Sequence, residues 1–486
     1  MHTATGCQHA KSLIGHTPAI HAPTLAFHSK GFQPAMQSNT SSQSPLLQGA
    51  ILPTLMRLAV PNMLAMVMSA AVAIAETYYI GQIGTLSLAA MALVFPLAML
   101  TQMMSNGAMG SGVSSAISRA LGANDPQKAG TLALHALVIG GVVGLLYSLI
   151  FVVWGEVFYG WLGGRGEVLA AASGYGAVLF SGAIFVWLCN TLASVVRGTG
   201  NMKFPSSVVF GSAILQIAVG GALGLGLGPF PRWGMVGVAI ANIVAMATAV
   251  IVLLAYLQWG QDKVRVPWRG TPLSWPVFKD ILRVGAFACL SPMQSVLAAL
   301  LLTGMVGRLG PEALAGYGIG QRLEFLLIPL AFGVGVAAVP MVGMAMGAKN
   351  SARARKVAWT AGGLSGVIVG SLGLVVFIWP QLWAGIFSTD TEVLAHATLY
   401  LRIAGPSFGF FGLGLTLYFA SLGAGYVLKP ILAGTVRLLV VALVGAWLLG
   451  HGHASPQALF GLVAAALFIY GLSSVWAIKS TPWVTQ

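Results

Sequence analysis

Charge is what this sequence has least of. Asp, Glu, Lys and Arg make up 7% of its 486 residues and hydrophobic side chains 57%. Soluble globular chains carry roughly 25% charged residues, so a soluble domain is excluded. Cysteine is nearly absent: Cys7, Cys189 and Cys289 build neither a disulfide framework nor a CxxC pair. The chain also lacks a GxxxxGK[ST] phosphate loop and an HExxH pair, and His135 and His396 stand alone in apolar surroundings. ATP-driven pumping by this chain alone is thereby excluded, and an integral membrane enzyme would have no catalytic cluster to work with. No cofactor is expected, and no metal site.

What is present is apolar sequence in blocks. Twelve of them, between residues 53 and 478, are about 20 to 30 residues long, enough for a helix to cross a hydrocarbon layer of roughly 30 Å. The 63 glycines are spread through these blocks, as suits helices that pack through small residues in lipid. The expected fold is an all-α integral membrane protein with twelve transmembrane helices.

The net charge of +14 could suggest nucleic acid, but the basic residues sort by loop. One set of loops carries Arg119, Lys128, Arg197, Lys203, Lys263, Arg265, Arg269, Lys279, Lys349, Arg353, Arg355, Lys356 and Lys429. The other carries Arg165, Arg232 and Arg308 with the acids Glu156, Glu167, Glu312, Asp390 and Glu392. This asymmetry predicts both termini in the cytoplasm, with lipid rather than nucleic acid as the large partner. Residues 1–50 are rich in Ser, Thr, Gln and Pro, hold five histidines and no acid, and read as a tail without fixed structure. They have no signal-peptide core and no zinc spacing.

The chain repeats itself. GQIGTLSLAAM at 81–91 pairs with GRLGPEALAGY at 307–317, RALGAND at 119–125 with MAMGAKN at 344–350, EVLAAASGY at 167–175 with EVLAHATLY at 392–400, and RGTGNMKFP at 197–205 with LGAGYVLKP at 422–430. Six spans are thus duplicated with almost no change of length. An even number of spans returns the chain to one side, so two six-helix lobes related by a pseudo-two-fold along the membrane normal are expected. The lobes are assigned to 51–260 and 279–479, with 261–278 as a cytoplasmic linker. That layout places a substrate site near midplane between them.

The acids narrow the site by elimination. Of ten, Asp125, Asp262 and Asp280 fall in or beside the basic loops and five lie at the opposite ends, which leaves Glu76 and Glu324 inside spans. A charged carboxylate near the bilayer centre costs about 2.5–3.5 kcal/mol, so each needs a partner, a proton or a task. Glu76, in AVAIAETYYIGQIG, reads as the proton-handling group, because a carboxylic acid held partly out of water favours its neutral form. Glu324, in GYGIGQRLEFLLIP, reads as a second protonation site or an attractor for a cationic substrate. A hydrogen-bonded tie between two helices remains the alternative for both. Pro61 interrupts the first span and offers a hinge, or a static kink.

These segments together resemble the multidrug and toxic compound extrusion (MATE) family over roughly residues 50–480. The likeness rests on AETYYIGQIG, RALGAND with MAMGAKN, RGTGNMKFP and PFPRWGMVGVAIAN, in that order and repeated. It implies a monomeric secondary antiporter that exports organic, cationic compounds in exchange for H⁺ or Na⁺. Where many relatives have an Asn and, four residues on, an Asp in the fifth span, this chain has Gln216 and Gly220; the sixth-span Thr position holds Asn242. The acids of the seventh and tenth spans are replaced by Gln294 and the GFFGLGL stretch. A two-carboxylate sodium site is therefore disfavoured against H⁺, with Gln216 and Asn242 as hydrogen-bond partners of a protonated Glu76 and Gln294 beside the second site. A lipid-linked saccharide flippase of the same superfamily is the alternative, although a broad basic cavity is missing from spans in which Arg402 and Arg437 are the main cations.

Overall fold

A computed structural model describes residues 45–260 and 263–483. Among the described residues, eleven helices are long and apolar enough to cross a membrane, and a bent pair of shorter helices makes a twelfth span. In the first half these are Ile51–Ile83, Thr85–Gly122, Pro126–Trp161, the pair Gly166–Ser181 and Ala183–Gly198 bent by 41°, Lys203–Leu225 and Gly234–Trp259. In the second they are Trp275–Leu309, Pro311–Gly347, Ser351–Ile378, Thr391–Gly423, Leu428–Gly450 and Pro456–Ser480. All are referred to below as the first to the twelfth span.

The sequence repeat reappears as a repeat of backbone geometry. Among the described residues, Asn124 (φ 61°) and Lys349 (φ 57°) are the two non-glycine residues in the left-handed region, and they occupy matching places in RALGAND and MAMGAKN. The next residue caps the following helix in both copies. Asp125 accepts from the Lys128 amide at 2.8 Å and Asn350 from the Arg353 amide at 2.9 Å, each cap being worth about 1 kcal/mol. Two glycines at matching turns take positive φ as well, Gly200 at 85° and Gly425 at 82°, where a Cβ would be strained.

The lobes meet at the end that carries the basic loops. There the second and eighth spans cross with almost no side chain between them. A Cβ on Gly122 would collide with the Met344 carbonyl, and one on the matching Gly347 with the Arg119 carbonyl. Ser115 of the second span donates to the carbonyls of Leu422 at 2.6 Å and Gly423 at 3.0 Å in the tenth. Arg119 pairs with Asp280 of the seventh span at 3.0 Å and also donates to Ser115.

Toward the other end the spans turn to partners within their own lobes. The first span packs on the fifth, with Tyr79 against Gly220 and Gly221, and the eighth packs on the tenth, with Gly316 against His396 and Gly320 against Tyr400. Between them opens a cleft of about 610 Å³, lined by Ala73, Ile74, Thr77, Tyr78, Phe95 and Arg322.

Three expectations need adjustment. The tail assigned to 1–50 ends earlier, because Pro45–Gln48 form a helical turn that buries Leu46; Arg353 donates to the carbonyls of Leu46 at 3.0 Å and Gly49 at 2.6 Å, tying this turn to the ninth span. The rest of that segment, with its five histidines and Cys7, lies outside the described residues. The seventh span starts at Trp275 rather than 279, since Pro276 stands in the first turn, where its missing N–H costs nothing. Arg119 and Arg197, assigned to loops, sit inside helices that run on to Gly122 and Gly198.

Candidate functional site

Glu76 stands in the first span with its carboxylate accepting a hydrogen bond from the Gln216 side-chain amide at 2.7 Å. One turn along, the Tyr79 hydroxyl donates to the Ile217 carbonyl at 3.2 Å, so two contacts stitch the first span to the fifth. Gly221 makes this approach possible: a Cβ there would lie 3.2 Å from the Tyr79 ring. Tyr175, buried in the fourth span, is within electrostatic reach of Glu76. Asn242 makes no hydrogen bond to the Glu76–Gln216 pair among the described residues, so of the two amides named for this site only Gln216 meets the acid.

An amide suits an acid that changes protonation. Gln216 can donate to a carboxylate or to the carbonyl oxygen of the neutral acid, whereas a Lys or Arg would hold the group ionised. The described residues form ion pairs at Arg119–Asp280 and Lys128–Asp280, both far along the chain from Glu76.

In the other lobe Glu324 accepts a hydrogen bond from the Tyr400 hydroxyl. Gly320, one turn before Glu324, leaves room for the Tyr400 ring, which lies edge-on to Tyr317 at 5.4 Å and to Phe460 at 5.3 Å. Arg437 of the eleventh span is within electrostatic reach of Glu324 and lies over the Tyr470 ring at 5.7 Å. Its Nε is buried with no hydrogen-bond partner among the described residues. Gln294 is turned elsewhere, donating to Thr435 at 2.8 Å. Glu324 and Gln294 therefore do not form one hydrogen-bonded site.

Sequence reasoning missed Tyr400 and Tyr175, although the repeat had aligned them as the last residues of EVLAHATLY and EVLAAASGY. Tyr400 donates to its lobe's acid, whereas Tyr175 makes no hydrogen bond to Glu76 among the described residues. It also missed the second span's turn of π-helix at Met103–Met109, which carries Asn106 toward Arg197. Such widened turns often mark functional positions. Pro61 lies inside the first span, in its half nearer the lobe contact.

Residues 61–220 and 288–448 each match the sequence profile described as MatE, one match to each lobe. The chain belongs to the MATE family. Among curated MATE-like relatives, the FAD transporter of Shewanella oneidensis is 24% identical over 386 residues, covering 77% of this chain and 82% of that protein. The probable multidrug resistance protein NorM of Thermotoga maritima is 25% identical over 409 residues, covering 81% and 88%. The fold is shared with a MOP superfamily transporter from Pyrococcus furiosus, at TM-score 0.82 and 22% identity over 90% of this chain and 98% of that one. As a MATE-family chain with twelve spans it is a membrane transporter. The first, second, seventh, eighth and tenth spans take part in joining its lobes, the first meeting the eighth where Met63 lies against Gly333; the acids are held by the first and fifth, and by the eighth and tenth.

Proposed function

We propose that this protein is a secondary active antiporter that exports organic compounds in exchange for an inward cation, H⁺ in preference to Na⁺, and that it is not an enzyme. The observation that carries the reading is the Glu76 carboxyl, an acid inside a span whose hydrogen-bond partner is the neutral Gln216 amide at 2.7 Å. A sodium ion wants several oxygen ligands; this acid is met by a nitrogen donor instead.

The basic loops belong on the cytoplasmic side, with both termini, in a bacterial inner membrane. The conformation is then the one closed to the cytoplasm and open to the outside, with the cleft of about 610 Å³ facing out. Protonation of Glu76 from outside removes its charge and changes what the first span prefers to pack against. Pro61, nearer the closed end, gives the span a place to bend. Coupling requires that substrate bind one protonation state better than the other, because a proton bound equally in both would shift nothing. Glu324, held by Tyr400 in the second lobe, serves as a further protonation site. The protein acts as a monomer in lipid.

The names of the relatives leave the charge of the substrate open, since one denotes an anionic dinucleotide carrier and another a multidrug exporter. The driving ion is tested in proteoliposomes by imposing ΔpH or ΔNa⁺ separately and following accumulation of a fluorescent organic dye. Accumulation driven by ΔpH alone is expected; accumulation driven by ΔNa⁺ alone would refute proton coupling.

A further inference from the structure

The wall of the cleft has the opposite charge from the acids beside it. Of the residues that line it, Ala73, Ile74, Thr77, Tyr78 and Phe95 are neutral and come from one lobe, and Arg322 is cationic and comes from the other. Glu324 follows Arg322 by two residues, so the two side chains leave the helix about 200° apart. Arg322 faces the cleft while Glu324 is taken up by Tyr400 inside its lobe. Glu76 is likewise engaged by Gln216 and is not among the lining residues.

Arg322 is braced without being neutralised. Its guanidinium lies over the Phe387 ring at 5.1 Å from the centroid. The ion pairs among the described residues, Arg119–Asp280 and Lys128–Asp280, do not include it. Phe387 belongs to the stretch between the ninth and tenth spans. Tyr78 and Phe95, 60% and 41% exposed, put two aromatic faces on the same cleft.

The same sign returns deeper along the seam between the lobes. Arg197, 4% exposed, donates to Asn106 at 2.5 Å, and Ser111 and Ser114 beside it have buried hydroxyls with no hydrogen-bond partner among the described residues. Val336 and Val339 of the eighth span close over them. The residues around this closed space include a guanidinium and two unpartnered hydroxyls, again with no carboxylate.

We infer that the cleft selects organic anions built on a planar aromatic ring, with Arg322 pairing to a carboxylate or phosphate oxygen and Tyr78 and Phe95 covering the ring. A guanidinium matches such oxygens through two parallel hydrogen bonds. The inference rests on the exporter reading for the direction of transport and replaces the cationic substrates that the family resemblance implies.

The test uses two dyes with one xanthene skeleton and opposite charge, fluorescein and rhodamine 123, titrated into the purified full-length protein at pH 7.5 with no ion gradient. Fluorescein is expected to bind at least about tenfold more tightly than rhodamine 123, as charge-assisted pairing predicts. Arg322→Gln should remove most of that advantage while leaving rhodamine 123 within about twofold, and Arg322→Lys should keep part of it. Equal or tighter binding of rhodamine 123 by the unmodified protein, absence of saturable fluorescein binding, or fluorescein affinity unchanged in Arg322→Gln would overturn the assignment. The unmodified protein decides the matter even if the Gln variant does not fold. Because binding is read without a gradient, failure of proton coupling would leave the dye ratio untouched.

Discussion

Glu76 is held by one hydrogen bond from an amide, and that single contact sets what substitutions there should do. Glu76→Gln keeps an oxygen for Gln216 to donate to, so its stability should stay close to that of the unmodified protein. Glu76→Ala leaves a partly buried amide donor unpaired, a loss of about 1–3 kcal/mol. Thermal unfolding in detergent should therefore rank the three proteins with Ala lowest; an Ala variant as stable as the Gln variant would show that the Gln216 contact holds nothing. In the second lobe, Glu324→Gln and Tyr400→Phe probe one hydrogen bond from its two sides. If that bond only ties the eighth span to the tenth, Tyr400→Phe should lose stability, Glu324→Gln, which keeps an accepting oxygen, should stay close to the unmodified protein, and both should keep ΔpH-driven transport. If Glu324 takes part in coupling, as proposed, Glu324→Gln should slow transport more than Tyr400→Phe does, with expression matched.

At the scale of elements, the closed end is held by two unequal devices. Arg119 and Asp280 keep 21% and 37% of their side-chain surface exposed, and pairs in contact with water are worth about 0.2–1 kcal/mol. The crossing of the second and eighth spans through Gly122 and Gly347 is the stronger one, because each glycine faces a backbone carbonyl that cannot move aside. Overpacking such a contact costs about 1–3 kcal/mol, and a bias of that size shifts a two-state ratio by about 5–150-fold. Gly347→Val should therefore populate the arrangement opened at the basic-loop end far more than Asp280→Asn does. Spin labels at Gln127→Cys and Arg355→Cys would report it as a longer distance; an unchanged distance in Gly347→Val would mean that the glycine crossing does not set the equilibrium.

Much of this was legible in the sequence. The lengths of the apolar blocks give the spans, and the repeat gives the matching turns at Asn124 and Lys349 because local backbone demands recur with local sequence. The pairing of Glu76 with Gln216 is one of the two that the resemblance to the MATE family implied. What could not be read was orientation across lobes: that Gln294 turns to Thr435, that Asn242 stays apart from the acid, and that Arg322 faces a cleft while its neighbour Glu324 does not. Those outcomes depend on how helices rotate against one another, which contacts between segments distant in sequence decide.

For the whole molecule, topology and coupling are the matters at stake. Trp268, in the stretch between the lobes and 57% exposed, should be cytoplasmic. With Cys7, Cys189 and Cys289 replaced by serine, Trp268→Cys should resist an impermeant thiol reagent added to intact cells, and labelling from outside would invert the assigned orientation. The central claim is that Glu76 carries the proton that drives export. Its most direct test is ΔpH-driven accumulation of a transported dye in proteoliposomes containing the unmodified protein or Glu76→Gln at equal density. The Gln variant, folded and able to bind dye but fixed in the neutral form, is expected to accumulate no more dye than protein-free vesicles; accumulation at the unmodified rate would contradict the claim.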